Sequence, residues 1–125
     1  MFGYLFRGRN PGWDRHGRMR FLADRKPDRH SARLSGIDPA VADKALEIIW
    51  RAFDIPKSQR YCLRPHDDLL ALYHSIYPPG WPDCMDFETL WLLLERALGR
   101  SLSRADRESA TTVGGVMRLL AGPLG

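Results

Sequence analysis

The chain has 125 residues, the length of one domain, with 44% apolar and 27% charged residues, the proportions of an ordinary globular protein. No apolar run approaches the ~18 residues that a bilayer span needs. The apolar start Phe2–Phe6 is cut off by Arg7 and Arg9, which leaves no room for a secretory leader, so a cytoplasmic location is expected. The net charge of +4 is unevenly spread. Residues 1–36 hold nine Arg or Lys against three Asp, so the remainder is mildly acidic.

Residues 1–36 have no sustained periodicity and are interrupted by Gly3, Gly8, Pro11, Gly12, Gly17 and Pro27. They read as a basic, flexible N-terminal extension, from which Trp13, Phe21 and Leu22 are able to dock on a following domain. An Arg-rich tail suits nucleic acid, anionic lipid or an acidic partner. A solvated extension is the reading preferred here, and nucleic acid is not an expected partner.

The first helix is predicted from Asp38, a good N-cap, with Pro39 at the first helical position, where no amide proton is needed. Val41, Ala45, Ile48, Ile49 and Ala52 form its apolar stripe, and Pro56 ends it. Residues 57–82 read as a long connection. Leu69, Leu72, Tyr73 and Ile76 predict a short helix within it, and Pro78-Pro79-Gly80-Trp81-Pro82 enforces a turn.

A second strong helix is predicted from an Asp83 N-cap to about Leu98, with Gly99 closing it. Phe87, Leu90, Trp91, Leu94 and Leu98 share its core face, whereas Met85 and Leu92 point outward among Glu88, Thr89, Glu95 and Arg96. Two apolar residues on a wet face are either scattered surface hydrophobes or a small docking strip. The stretch 101–109 is polar, with room for one helical turn. Thr111 or Thr112 then caps a last helix with Val113, Val116, Met117 and Leu120 as its stripe, stopped by Gly122-Pro123. Gly114 and Gly115 are expected to weaken it by about 1 kcal/mol each relative to Ala. The fold class that follows is all-α.

Cys62 and Cys84 are too few for a disulfide framework, and Cys62, His66, His74 and Cys84 match no recurrent zinc spacing, so no metal site is expected. Cys84 is placed at the first helical position, where amide protons and the helix dipole lower a thiol's pKa. Asp83 and Asp86 oppose that effect. A thiol enzyme using Cys84 with His66 or His74 as base needs a cleft that a small bundle rarely has, so the chain does not read as an enzyme.

Asp83-Cys84-Met85-Asp86, the apolar helix ending in Glu95-Arg96-Ala97-Leu98-Gly99, the polar loop and Thr111-Thr112-Val113-Gly114 follow one another without a gap. In that order and spacing the chain resembles the acyl carrier proteins of fatty-acid and polyketide synthesis. Those open their second helix with Asp-Ser-Leu-Asp and their last with Thr-Thr-Val-Gly. Asp38–Phe53 is similar to the first carrier helix, and residues 63–69 to the segment leading to the motif. The resemblance spans residues 37–121 and implies a small helical bundle of three main helices plus short ones, with 122–125 as a tail.

In that family the motif serine receives a 4′-phosphopantetheine arm; here Cys84, after Asp83, holds that position. The connection before the motif is longer than in ordinary carriers, and Arg96 replaces an acid. The resemblance also places Met85, Leu92 and Glu95 at positions that carriers use to meet their enzymes, and Glu88 shares that face. Two functions follow as expectations. One is a carrier-like interaction module without a prosthetic group, docking a protein partner through Met85, Glu88, Leu92 and Glu95 in a biosynthetic pathway of this type. The alternative is a divergent carrier that uses Cys84 as its attachment point, with 4′-phosphopantetheine as cofactor in that case only.

Overall fold

The computed structural model describes Trp13, residues 18–77 and residues 85–122. Among them the chain is all-α: α1 (Arg20–Ala23), α2 (Pro39–Ala52), a 3₁₀ helix (Lys57–Cys62), α3 (Leu69–Ile76), α4 (Asp86–Leu98), α5 (Arg104–Ser109) and α6 (Val113–Ala121). No strand occurs among the described residues; extended pairing is limited to the isolated bridges Trp13–Met19 and Asp68–Thr112.

The central element is α2, which packs against α6 and α4 and also touches the 3₁₀ helix. Its start is built as the residue types require: the Asp38 carboxylate accepts the Ala40 amide at 2.8 Å, and Pro39 occupies the first turn. Ala45, Ile48, Ile49 and Ala52 are buried as expected, and Ala42 and Leu46 join them. The stripe is wider than expected because partners flank α2 on more than one side. Val41 lies at its edge, half-buried.

The described part of residues 1–36 is not a loose extension. Met19, Leu22 and Ala32 are fully buried and Trp13 nearly so, all in the same core as α2 and α6. The docking expected of Trp13 and Leu22 is therefore present. Composition concealed it because four buried side chains are scattered among cations, of which Arg18, Arg20, Lys26 and Arg29 are exposed. Gln59 secures the attachment, accepting the Met19 amide at 2.7 Å and donating to the Met19 carbonyl at 3.1 Å. Both exchanges are buried, and a buried polar side chain costs free energy unless paired in this way.

The segment between α2 and α3 is also more ordered than a long connection implies. After Phe53, Asp54 turns the chain with a left-handed φ of 55°, and Pro56 leads into the 3₁₀ helix. Asp67 then anchors the junction. Its carboxylate, 3% exposed as a residue, meets the Arg25 guanidinium at 2.6 and 2.9 Å and accepts the Arg64 amide at 2.7 Å. Its backbone carbonyl accepts the Val113 amide at 3.0 Å, and that of Pro65 accepts Gly114 at 2.8 Å. The first amides of α6, which have no partner within the helix, thus end on this junction.

Thr112, one of the two expected caps, accepts the Gly115 amide at 3.0 Å. The glycines that weaken α6 by propensity are the ones its packing demands. A Cβ on Gly115 would stand 2.5 Å from the Ser109 carbonyl oxygen, and one on Gly114 would stand 3.0 Å from that of Pro65. The polar stretch before α6 holds α5, capped by reciprocal bonds between Ser103 and Asp106.

Candidate functional site

The candidate site is the outer side of α4 with the ground beside it. The helix starts later than expected. Its first residue is Asp86, and the N-cap position belongs to Met85, whose φ of 58° cannot continue a right-handed helix backward. The expected Asp83 cap and Cys84, the position equivalent to the phosphopantetheine serine, lie outside the described residues. The first-turn place assigned to Cys84 is taken by Asp86, so the helix-terminus argument for an activated thiol does not carry over to the helix as it stands.

Asp86 has a larger part than that of a charge near Cys84. It is buried, and the Tyr77 hydroxyl donates to its Oδ1 at 3.5 Å. With Glu88 it puts two acids in the first turn of α4, where the helix dipole favours them. Gly99 closes the helix with a left-handed φ of 70°, its amide bonded to the Glu95 carbonyl at 2.8 Å.

The inner face of α4 is close to expectation. Leu90 and Leu94 are fully buried, while Phe87, Trp91, Leu93 and Leu98 pack against the core from its margin. Phe87 is the hub of an aromatic seam. Its ring lies 5.4 Å from Phe53 in an edge-to-face contact, 5.5 Å from Tyr73 and 6.0 Å from Trp91. Such contacts hold the helix at a fixed rotation about its axis and therefore decide which residues face out.

Those residues include Met85, 56% exposed, and Leu92, 48% exposed, with exposed Glu88 between them. Glu88 and Leu92, four residues apart, share one face of α4, and Met85 at the N-cap extends this ridge by one exposed side chain. Glu95, the fourth residue expected on this strip, is employed differently. It is half-buried, and its carboxylate accepts the Leu102 amide at 2.8 Å, which pins the turn after α4. Among the described residues Leu70, 55% exposed, is the third large exposed hydrophobe and was not among the expected ones. Its signal was available, since Leu70 falls off the stripe formed by Leu69, Leu72 and Ile76. Leu69, Leu70, Phe87, Trp91 and Ala110 line a largely apolar groove of about 360 Å³, with Asp68 and Arg107 as its charged members.

The thiol and imidazole groups outside this face assemble no chemistry of their own among the described residues. Cys62 is buried, 3.5 Å from the Arg25 carbonyl, and burial pushes its thiol up in pKa against the opposing influence of Arg64 and Arg25. His66 is well exposed beside Asp67, and His74 stacks edge-on near Tyr73. No group of three metal-capable side chains occurs among the described residues, and none of the described helices is long and apolar enough to cross a membrane. No protein-family model, no curated protein and no solved structure matches this chain.

Proposed function

We propose that this chain is a carrier-like module that does not carry, and that it docks a protein partner on the ridge Met85–Glu88–Leu92 within a fatty-acid or polyketide type of biosynthesis. The observation that carries the reading is this ridge, where two large apolar side chains stand outward around an acid on a helix whose rotation is held by its aromatic seam. A partner that covers Met85 and Leu92 gains about 1 kcal/mol from each, since each is already half-buried. Glu88 adds orientation and attraction to a basic partner. Further support comes from the element order: a long first helix, α4 after a long connection, the short α5 and then α6, as the resemblance implies for carriers. Glu95 contributes by holding the turn after α4 rather than as a free docking charge.

The second reading, a divergent carrier charged at Cys84, is favoured by the apolar groove between Leu70, Phe87 and Trp91, a place for a hydrocarbon chain beside α4. One experiment separates the two. The full chain and Cys84→Ser are each incubated with coenzyme A and a broad-specificity phosphopantetheinyl transferase, and intact masses are read. The expected result is an unchanged parent and a serine variant that gains one arm, with that gain lost when Met85 and Leu92 are also changed to Ser. A parent that gains mass at Cys84 establishes the carrier instead. If neither chain gains mass, the surface is not carrier-like.

A further inference from the structure

The fold joins two stretches that are 24 residues apart in sequence into one cationic surface. Residues 25–33 meet the 3₁₀ segment 57–64: the Asp28 amide donates to the Tyr61 carbonyl at 3.0 Å, and Arg64 donates to the Lys26 carbonyl at 2.8 Å. Together these stretches contain seven Arg or Lys and a single acid, Asp28. Two cations are neutralised from elsewhere, Arg25 by Asp67 and Arg33 by Asp43. Asp43 also lies 3.7 Å from Arg29, and Asp28 is turned toward its own Ser31, whose hydroxyl it accepts at 2.7 Å.

Lys26, Arg29, Arg60 and Arg64 are left in excess over Asp28, Lys57 being shared with Glu47, and Arg29 and Arg60 gather at Tyr61. The tyrosine organises them. The Arg60 guanidinium lies 4.5 Å from its ring centroid and that of Arg29 5.3 Å, and Arg29 Nε donates to the hydroxyl at 3.2 Å. Backbone carbonyls hold the forks of Arg60 and Arg64: Arg60 donates to Lys57 at 2.8 Å, and Arg64 to Tyr61 at 2.7 Å. Cations are thus gathered on one ring despite their mutual repulsion, and a bound polyanion relieves that repulsion.

We infer that this Tyr61-centred surface binds the phosphodiester backbone of single-stranded nucleic acid. Guanidinium forks match phosphate geometry. An acidic peptide would use only the charge, whereas flat guanidinium and phenol faces also stack bases. Reading residues 1–36 as a solvated tail hid the surface, because half of it comes from residues 57–64. The inference is independent of the α4 docking face.

The test uses the full chain and a fluorescein-labelled oligo-dT of about 15 nucleotides, within the range of single-strand site sizes, read by anisotropy between about 50 and 200 mM salt. Affinity should fall with salt, with a log–log slope of about −0.7 per phosphate contacted. The double variant Arg29→Gln/Arg60→Gln should bind at least about tenfold more weakly and lower that slope by about 1.4, the share of two contacts. Tyr61→Leu should weaken binding and Tyr61→Phe should keep it. Arg104→Gln, on the exposed side of α5, should leave it unchanged, and circular dichroism confirms that each variant is folded. The inference is overturned if the parent does not bind at the lowest salt. It is overturned equally if the double variant binds as the parent does, which assigns binding to the other arginines. Equal competition by polyglutamate also overturns it, in favour of an acidic peptide.

Discussion

The junction around Asp67 and the outer ridge of α4 handle their surplus groups in opposite ways. At the junction, three donors converge on one carboxylate, and the carbonyls of Pro65 and Asp67 take up the first amides of α6. Everything there is closed within the chain, so its value is stability and shape. On the ridge, Met85 and Leu92 keep about half of their surface in water although the helix buries Leu90 and Leu94 completely. Interior packing explains the first region entirely, whereas the second is the exposed surface on which the proposed docking rests.

The sharpest way to break that contrast is Asp67→Ala. It leaves Arg25 and the Arg64 amide without their acceptor and should cost about 3 kcal/mol in urea denaturation, the low end for a buried pair because Arg25 is one-quarter exposed. Gly115→Ala should come next, at about 2 kcal/mol of destabilisation, because the new Cβ meets the Ser109 carbonyl. Propensity alone predicts the opposite sign, and a stabilised variant would show that α6 is not seated so closely. Thr112→Ala, which removes the cap on Gly115, should cost about 1 kcal/mol in the same assay.

On the ridge, Met85→Ser/Leu92→Ser should change stability by no more than about 0.5 kcal/mol while abolishing transferase recognition of the Cys84→Ser chain. A large loss of stability would place these side chains in the fold rather than at an interface.

The smallest effect concerns acid. Hydrogen bonding with Arg100, helped by the Ser103 amide, holds the Asp106 carboxyl down to about 2 from an ordinary 3.8. A carboxyl depressed in the folded state stabilises above its unfolded pKa and loses that contribution as pH falls through its folded one. Stability should therefore decline between about pH 4 and pH 2, and Arg100→Gln should flatten that limb of an acid titration followed by circular dichroism.

The helices were legible where a local signal sufficed. Asp38-Pro39, Thr112 and Gly99 each satisfy or terminate a backbone within one turn, so residue type predicts them. The outward placement of Leu92 also followed from spacing, because one helix has one angular register, whereas Met85 is exposed at the left-handed N-cap outside that register. Reading failed where the answer depended on distant chain. Asp86, not Cys84, begins α4 because the left-handed turn at Met85 stops the helix there, and a Met has no sequence signal for that conformation. Glu95 looked free because Leu102, its partner, is seven residues away and joined through a turn.

What the sequence alone determined, then, is the all-α class, the caps at Asp38, Thr112 and Gly99, and the faces of the two main helices. All of these rest on contacts within a few residues. Only the tertiary structure decided that Met19, Leu22 and Ala32 belong to the core, that Gly114 and Gly115 are sites of close approach, and that residues 25–33 and 57–64 share one surface. These depend on which segments meet. Meeting is settled by the burial of apolar side chains and the pairing of Asp67 and Gln59 across some 40 residues of chain, beyond the reach of any local pattern.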